Sequence, residues 1–373
     1  MSARVLLVPH RLHDPLGTGI HRYAIELIRA LASDESTADL DYAVSSIDEP
    51  DMAVGPPVVH IGGPRRLLHL RWATLGRPPI ERLVGDTALV HMLTPAVPVA
   101  TSAPLVVTVH DLLPLRFPSW YPVRQRWLFR RALRQTVSDA VRVIVPSSAV
   151  AADISDATDI DRSRITVIPE GVDSTFRRPV SEVDVAAVCA RHRIRPGRFF
   201  LFVGAISGRK NLATAMRALA AFRAAGPDIS LVVAGPRGRG AEEFDAEAAR
   251  LGLQSAVRVT GWVSAADLPV LFAAALALVH PSKYEGFGLT PLEAMAAGTP
   301  VLVANTGALP EVVGDAGILL PPDDVDAWSE AMNRIAEDDG LRRSMIERGQ
   351  SWAERFTWGR AARETAAVYR ACL

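Results

Sequence analysis

The chain has 373 residues, 49% of them hydrophobic, which suffices for two or three domains with cores of their own. Forty-one Lys and Arg balance 41 Asp and Glu, so no broad basic field exists to bind nucleic acid. The two cysteines, Cys189 and Cys372, exclude a disulfide framework or a cysteine-rich zinc site, and a cytoplasmic protein is expected: the opening MSARVLLVPHRLHDP is too short in apolar residues for a signal peptide, and no stretch approaches the ~20 of a membrane span.

Val5 to Pro9 reads as a buried parallel strand. Gly17-Thr18-Gly19 follows, and Ile20 to Ala32 has helical apolar spacing. This strand, glycine loop and helix lack the third glycine of the dinucleotide fingerprint, so by themselves they are a weak signal, with a tight turn into a packed helix as the alternative. Val58 to Ile61, Ala88 to His91, Leu105 to His110, Val141 to Pro146 and Ile165 to Ile168 are further short, Val-rich strands. Helix-capable segments alternate with them, which argues for a parallel α/β sheet that binds ligands at its strand C-termini. His60, His91 and His110-Asp111 stand at that edge. Trp120 to Arg134 is aromatic and basic, and reads either as an anionic-membrane contact or as an amphipathic helix with a solvated arginine face. Pro169-Glu170-Gly171-Val172-Asp173 leads into a linker, with the domain boundary expected near 175 to 180.

The second half repeats the pattern. Strands are expected at Phe199 to Val203, Ser230 to Ala234, Val257 to Thr260, Leu276 to His280, Val301 to Ala304 and Ile318 to Leu320, with helices between them. GAISGRKN (204–211) leaves a strand and opens a helix, so Arg209 and Lys210 are placed to grip a diphosphate. It is not a P-loop, because Asn211 follows the lysine. Three Asp-x-Asp pairs (Asp39/Asp41, Asp159/Asp161, Asp324/Asp326) read as solvated loops, and no metal is expected.

The densest stretch is HPSKYEGFGLTPLEAMAAGTP (280–300): a strand end, a loop with Gly286 and Gly288 around Phe287, then a helix from Leu289 with Pro291 in its first turn. Free amides at such a helix start attract phosphate, and Glu285 and Glu293 lie on either side as hydroxyl acceptors. A sugar nucleotide offers both groups. Glu285 and Glu293, with seven residues between them, resemble the E-x7-E motif of retaining family 4 glycosyltransferases, and the HPS, EGFGL, LEAMAAGTPV, LPEVVGDAG and RKN phrases match as well. VVTVHDLLPLRFPSWYP resembles a mannosyltransferase-like branch of that family.

The resemblance implies the GT-B fold: two Rossmann-like α/β domains facing a central cleft, with a C-terminal helix crossing back to the first. Residues 1–175 with 357–373 would form the acceptor domain, and 180–355 the donor domain. It implies hexose transfer with retention, without metal or cofactor, from a nucleotide sugar, most simply GDP-mannose, to a hydroxyl of a glycan or lipid-linked glycan. His110, Arg209, Lys210 and Glu285 would be catalytic. Gly17, Gly19, Val263, Gly286, Phe287, Gly288, Leu289 and Glu293 would join Arg209, Lys210 and Glu285 around the donor, and Asp111 would face the acceptor. Residues 120–134 would provide any peripheral contact with the inner face of the plasma membrane. UDP-glucose, dTDP-rhamnose and GDP-fucose stay open as donors. So do an epimerase of the same architecture and a non-catalytic sugar-nucleotide-binding partner.

Overall fold

The computed structural model describes residues 2–9, 19–47, 54–95 and 98–373; Gly17 lies outside them. The chain divides into two compact units, Met1–Gly171 with Thr357–Leu373, and Val172–Phe356.

The first unit is built on seven parallel strands: β1 (Ala3–Val8), β2 (Leu40–Ile47), β3 (Val58–Ile61), β4 (Leu89–Met92), β5 (Leu105–Thr108), β6 (Arg142–Val145) and β7 (Ile165–Val167). Their order is β3-β2-β1-β4-β5-β6-β7. The chain steps outward from β1 to β3, then returns to pair β4 on the other side of β1, with Val5 opposite Leu89. Val5, Leu6, Leu7, Val90, Val106, Val107 and Val143 are fully buried, because helices cover both faces of the sheet. Strand β2 has no counterpart in the sequence reading. It buries Ser45 and Ser46, which break the apolar run by which its neighbours announce themselves.

The last helix, Trp358–Arg370, packs on this unit against the helix Gly19–Ser33. It opens with the Thr357 hydroxyl accepting from the Arg360 amide (3.1 Å), a standard N-cap. Arg363 pairs with Asp34 (2.8 Å) and Arg370 with Asp39 (2.6 Å).

The second unit repeats the design with β8 (Phe199–Val203), β9 (Ser230–Ala234), β10 (Val257–Gly261), β11 (Ala277–His280), β12 (Val301–Ala304) and β13 (Ile318–Leu320). The order is β10-β9-β8-β11-β12-β13, all parallel. Phe199, Phe200, Leu201 and Phe202 are fully buried; each such side chain contributes about 1.5–3 kcal/mol of apolar burial. Pro169, Glu170 and Gly171 belong to the first unit, while Val172 and Asp173, read as the approach to a linker, belong to this one. Phe176 sits in its core, and Arg177 donates to the carbonyls of Ala353 (3.0 Å) and Phe356 (3.3 Å) at the end of the helix Asp339–Ala353. In each sheet the strand order reverses once, between β1 and β4 and between β8 and β11. Ligands of open α/β sheets bind outside the carboxyl ends of the strands at such a reversal.

Candidate active site

At the second unit's reversal, the segment leaving β8 meets the segment leaving β11. After β8 the chain runs through Gly204 and the buried Ile206 into a single 3-10 turn, Gly208–Lys210. Asn211 closes the turn in the left-handed region (φ 54°), which an asparagine tolerates better than most residues. Its side-chain amide donates to the carbonyl of Pro322 (2.7 Å) and to Asp323 (3.2 Å), which holds it there. The GPRGRG segment after β9 supports the same turn: the Ile206 amide donates to Pro236 (3.1 Å). A Cβ on Gly235 (φ 156°) would collide with the carbonyl of Gly204, so only glycine allows this approach. That basic loop packs against the turn that presents Arg209 and Lys210.

After β11 the chain turns at Pro281. Lys283 N–H donates to the carbonyl of Arg209 (2.9 Å), the Thr306 hydroxyl to that of Ser282 (2.8 Å), and Ala308 N–H to that of Glu285 (3.0 Å). Gly307 (φ 54°) sits so near Glu285 that a Cβ would lie 2.5 Å from its carbonyl oxygen. Two neighbouring loops thus fix the backbone beneath the Glu285 side chain.

That carboxylate is the hub of the site. Oε1 accepts from Lys210 Nζ (2.7 Å) and His280 Nε2 (3.1 Å), and Oε2 from Arg209 Nη1 (2.7 Å). Arg209 Nη1 also donates to the carbonyl of Tyr284 (2.8 Å). Burial pushes the Glu285 carboxyl up, but the charges of Lys210 and Arg209 and the His280 hydrogen bond outweigh it and hold the group well below the usual carboxylate range. Burial draws Lys210 down, against the pull of Glu285. Burial likewise lowers His280, which therefore stands as a neutral imidazole, its proton on Nε2 facing the carboxylate. Its buried Nδ1 has no partner among the described residues. The cluster carries two cations and one anion, hence a net charge near +1. A carboxylate offers about four lone-pair positions, and three are filled, so one remains on Oε2.

The sequence reading assigned Arg209 and Lys210 to a diphosphate and Glu285 to sugar hydroxyls. It did not foresee that the three hold one another, nor that His280 joins them. A polar residue at the end of the strand beside the reversal was the available signal for His280. Glu293 lies in the helix Leu289–Ala296 and is only 3% exposed. Gly288 precedes that helix at φ 133°. Phe287 is buried edge-on to Phe356, with centroids 6.1 Å apart. Gly286 precedes it, Leu289 opens the helix, and Val263 lies buried after β10 beside the half-exposed Trp262.

The first unit's reversal is built differently. Gly19 opens its helix, and an added Cβ there would meet nothing within 4 Å among the described residues. His91 Nδ1 meets the Tyr369 hydroxyl (2.6 Å) and its Nε2 the Thr108 hydroxyl (2.8 Å), which in turn meets the Tyr23 hydroxyl (3.0 Å). His110 lies just beyond β5 with both ring nitrogens engaged, Nε2 on the carbonyl of Leu93 (2.9 Å) and Nδ1 on Glu170 Oε1 (3.2 Å). Its recorded carboxylate partner is Glu170, sixty residues away, rather than Asp111, which accepts from the amide of Leu113 (3.1 Å). Among the Asp-x-Asp residues, Asp39 pairs with Arg370, Asp161 caps the 3-10 turn Arg162–Arg164, and Asp324 caps the helix Val325–Glu337.

Comparison with known proteins gives the family and the fold. Residues 191–352 match glycosyl transferases group 1, and residues 17–176 match Glycosyltransferase Family 4. D-inositol 3-phosphate glycosyltransferase of Salinispora tropica is 32% identical over 96% of this chain and 82% of its own. O-antigen chain mannosyltransferase B of Escherichia coli is 28% identical over 98% of this chain and 99% of its own. In fold, the chain resembles Anabaena HepE, solved with UDP and glucose, at a TM-score of 0.77 and 20% identity, covering 99% of this chain and all of that one. With two Rossmann-like parallel-sheet domains of the GT-B type and a relative matched along nearly its whole length, the chain belongs to the group 1, family 4 glycosyltransferases.

Proposed function

We propose that the protein transfers a hexose, mannose from GDP-mannose, to a hydroxyl of a glycan or lipid-linked glycan, with retention at the anomeric carbon and without a metal. The observation that carries this reading is the Arg209–Lys210–Glu285–His280 cluster at the reversal between β8 and β11. A nucleoside diphosphate brings about two negative charges to a cluster of net charge near +1. It competes with Glu285 for Lys210 and Arg209 and leaves the carboxylate freer to accept from hexose hydroxyls. Glu293 holds the ribose, and the amides around Phe287 to Leu289 meet the phosphates. In the transfer step the bond from C1 to the phosphate oxygen breaks and the bond from C1 to the acceptor oxygen forms. The acceptor proton passes to the departing diphosphate. Charge gathers on that diphosphate, where Arg209 and Lys210 stabilise it. His110 acts beside the transferred sugar and Asp111 toward the acceptor. The whole-length likeness to a mannosyltransferase supports the mannosyl choice.

Peripheral contact with an anionic membrane belongs to the same proposal and places the protein at the inner face of the plasma membrane. Val123, Trp127 and Leu128 are exposed on the helix Val123–Asp139, beside Arg124, Arg130 and Arg131. Among the described residues no helix is long and apolar enough to cross a membrane. Co-sedimentation with phosphatidylglycerol vesicles, weakened by Trp127→Ala, is the expected result; equal recovery with neutral vesicles would count against it.

The test of the donor is a thermal-shift panel of GDP, UDP and dTDP with their sugars, with and without EDTA. The expected outcome is a GDP-selective rise, largest with GDP-mannose and indifferent to chelator. A UDP- or dTDP-selective rise overturns the mannosyl choice, and a rise lost in EDTA overturns the metal-free mechanism.

A further inference from the structure

His110 is 8% exposed and Glu170 5%, so both lie largely out of solvent. The carbonyl of Leu93 can only accept, so His110 Nε2 carries a proton. A ring with no second proton would then aim the Nδ1 lone pair at Glu170 Oε1, 3.2 Å away, and repel it. Both contacts are satisfied only when one more proton lies between Nδ1 and the carboxylate. Tyr23, edge-on at 4.5 Å between centroids, is a buried phenol raised by its burial, with Glu170's charge adding to the rise. His91 is pushed down to about 3 by burial and by repulsion from His110, and stays neutral.

We propose that Glu170 is a positioning residue for His110: its buried carboxylate shares one proton with Nδ1 and fixes the ring in orientation against the carbonyl of Leu93. The inference rests on the proposed part of His110 in turnover. The paired ring presents a rigid, oriented group beside the sugar, whereas a ring released from Glu170 is held only at Nε2. Glu170 stands at the carboxyl edge of the sheet, just past β7, where catalytic side chains of such sheets gather.

The experiment uses the full chain labelled with 15N-histidine, with His110→Asn to assign the ring signals. Wild type should show a slowly exchanging proton in the His110 Nδ1–Glu170 hydrogen bond, and Glu170→Gln should lose it. Glu170→Gln should lower kcat at least tenfold with donor KM within twofold, and Glu170→Asp should restore part of the loss. Thermal melting within a few degrees of wild type shows that each variant folds. Unchanged ring protons in Glu170→Gln, with His110→Asn inactive, would overturn the role of Glu170 alone. Wild-type turnover in His110→Asn would overturn the reading beneath it.

Discussion

The two sheets reverse at the same point in the same strand order, yet they place opposite kinds of chemistry there. Between β8 and β11 the second unit gathers Arg209, Lys210 and Glu285, charged groups that bind one another in the absence of anything better. Between β1 and β4 the first unit buries a chain of neutral hydrogen bonds, Tyr369–His91–Thr108–Tyr23, and the Tyr369 end belongs to the returning C-terminal helix. Topology supplies the location in both cases, and the residues at the strand ends decide the use. A partly solvated cluster with net positive charge can exchange its internal carboxylate for a phosphate. A fully paired neutral network has nothing to exchange, and so secures the fold.

Breaking the charged side should have the largest effect. Lys210→Ala removes a cation and leaves Glu285 short of a partner; kcat/KM should fall by about 2–4 kcal/mol of transition-state stabilisation, read from steady-state transfer. Glu285→Gln sharpens the point, because it keeps the cations and weakens their internal competitor. Nucleoside diphosphate should bind within a few-fold of wild type or tighter, while kcat drops about ten- to a hundredfold, the value of a hydrogen bond to a charged group. Donor affinity lost in parallel with kcat would mean that Glu285 serves only as a structural tie.

On the neutral side the consequence should be stability. Tyr369→Phe strips His91 Nδ1 of its partner and should cost about 1–3 kcal/mol in urea unfolding, with GDP affinity unchanged. A pH dependence follows from His91 itself. Burial and His110 hold it near 3, below the ~6.5 of an unfolded chain, so the unfolded state takes the proton first. Its contribution is complete above about pH 6.5 and is lost as pH falls toward 3. Unfolding free energy measured at pH 7 and pH 5 should decline in wild type and decline less in His91→Gln. The smallest effect should come from the exposed pair that ties the same helix, Arg363 with Asp34: Arg363→Ala should cost under about 1 kcal/mol.

These particulars also show what the sequence could reveal. Strands β8, β11 and β12 of the second unit were legible as unbroken apolar runs, and Arg209, Lys210 and Glu285 as polar residues after strand ends beside glycines. Strand β2 was not, because Ser45 and Ser46 are buried among apolar residues and interrupt the pattern. Glu170 looked like linker chemistry between proline and glycine, since its partner His110 lies sixty residues earlier and only the fold joins them. The mutual neutralisation of Glu285 with two cations was hidden for the same reason: Lys210 and Glu285 are seventy-five residues apart and meet only because β8 and β11 are neighbours.

The central claim is that the cluster at the second reversal is the seat of the nucleoside diphosphate. It is tested most directly by calorimetric titration of GDP into wild type and Lys210→Met, a variant that keeps the length of the side chain and removes its charge. Saturable binding in wild type, weakened at least a hundredfold in Lys210→Met, is the predicted result. Equal affinity in the two proteins would contradict it.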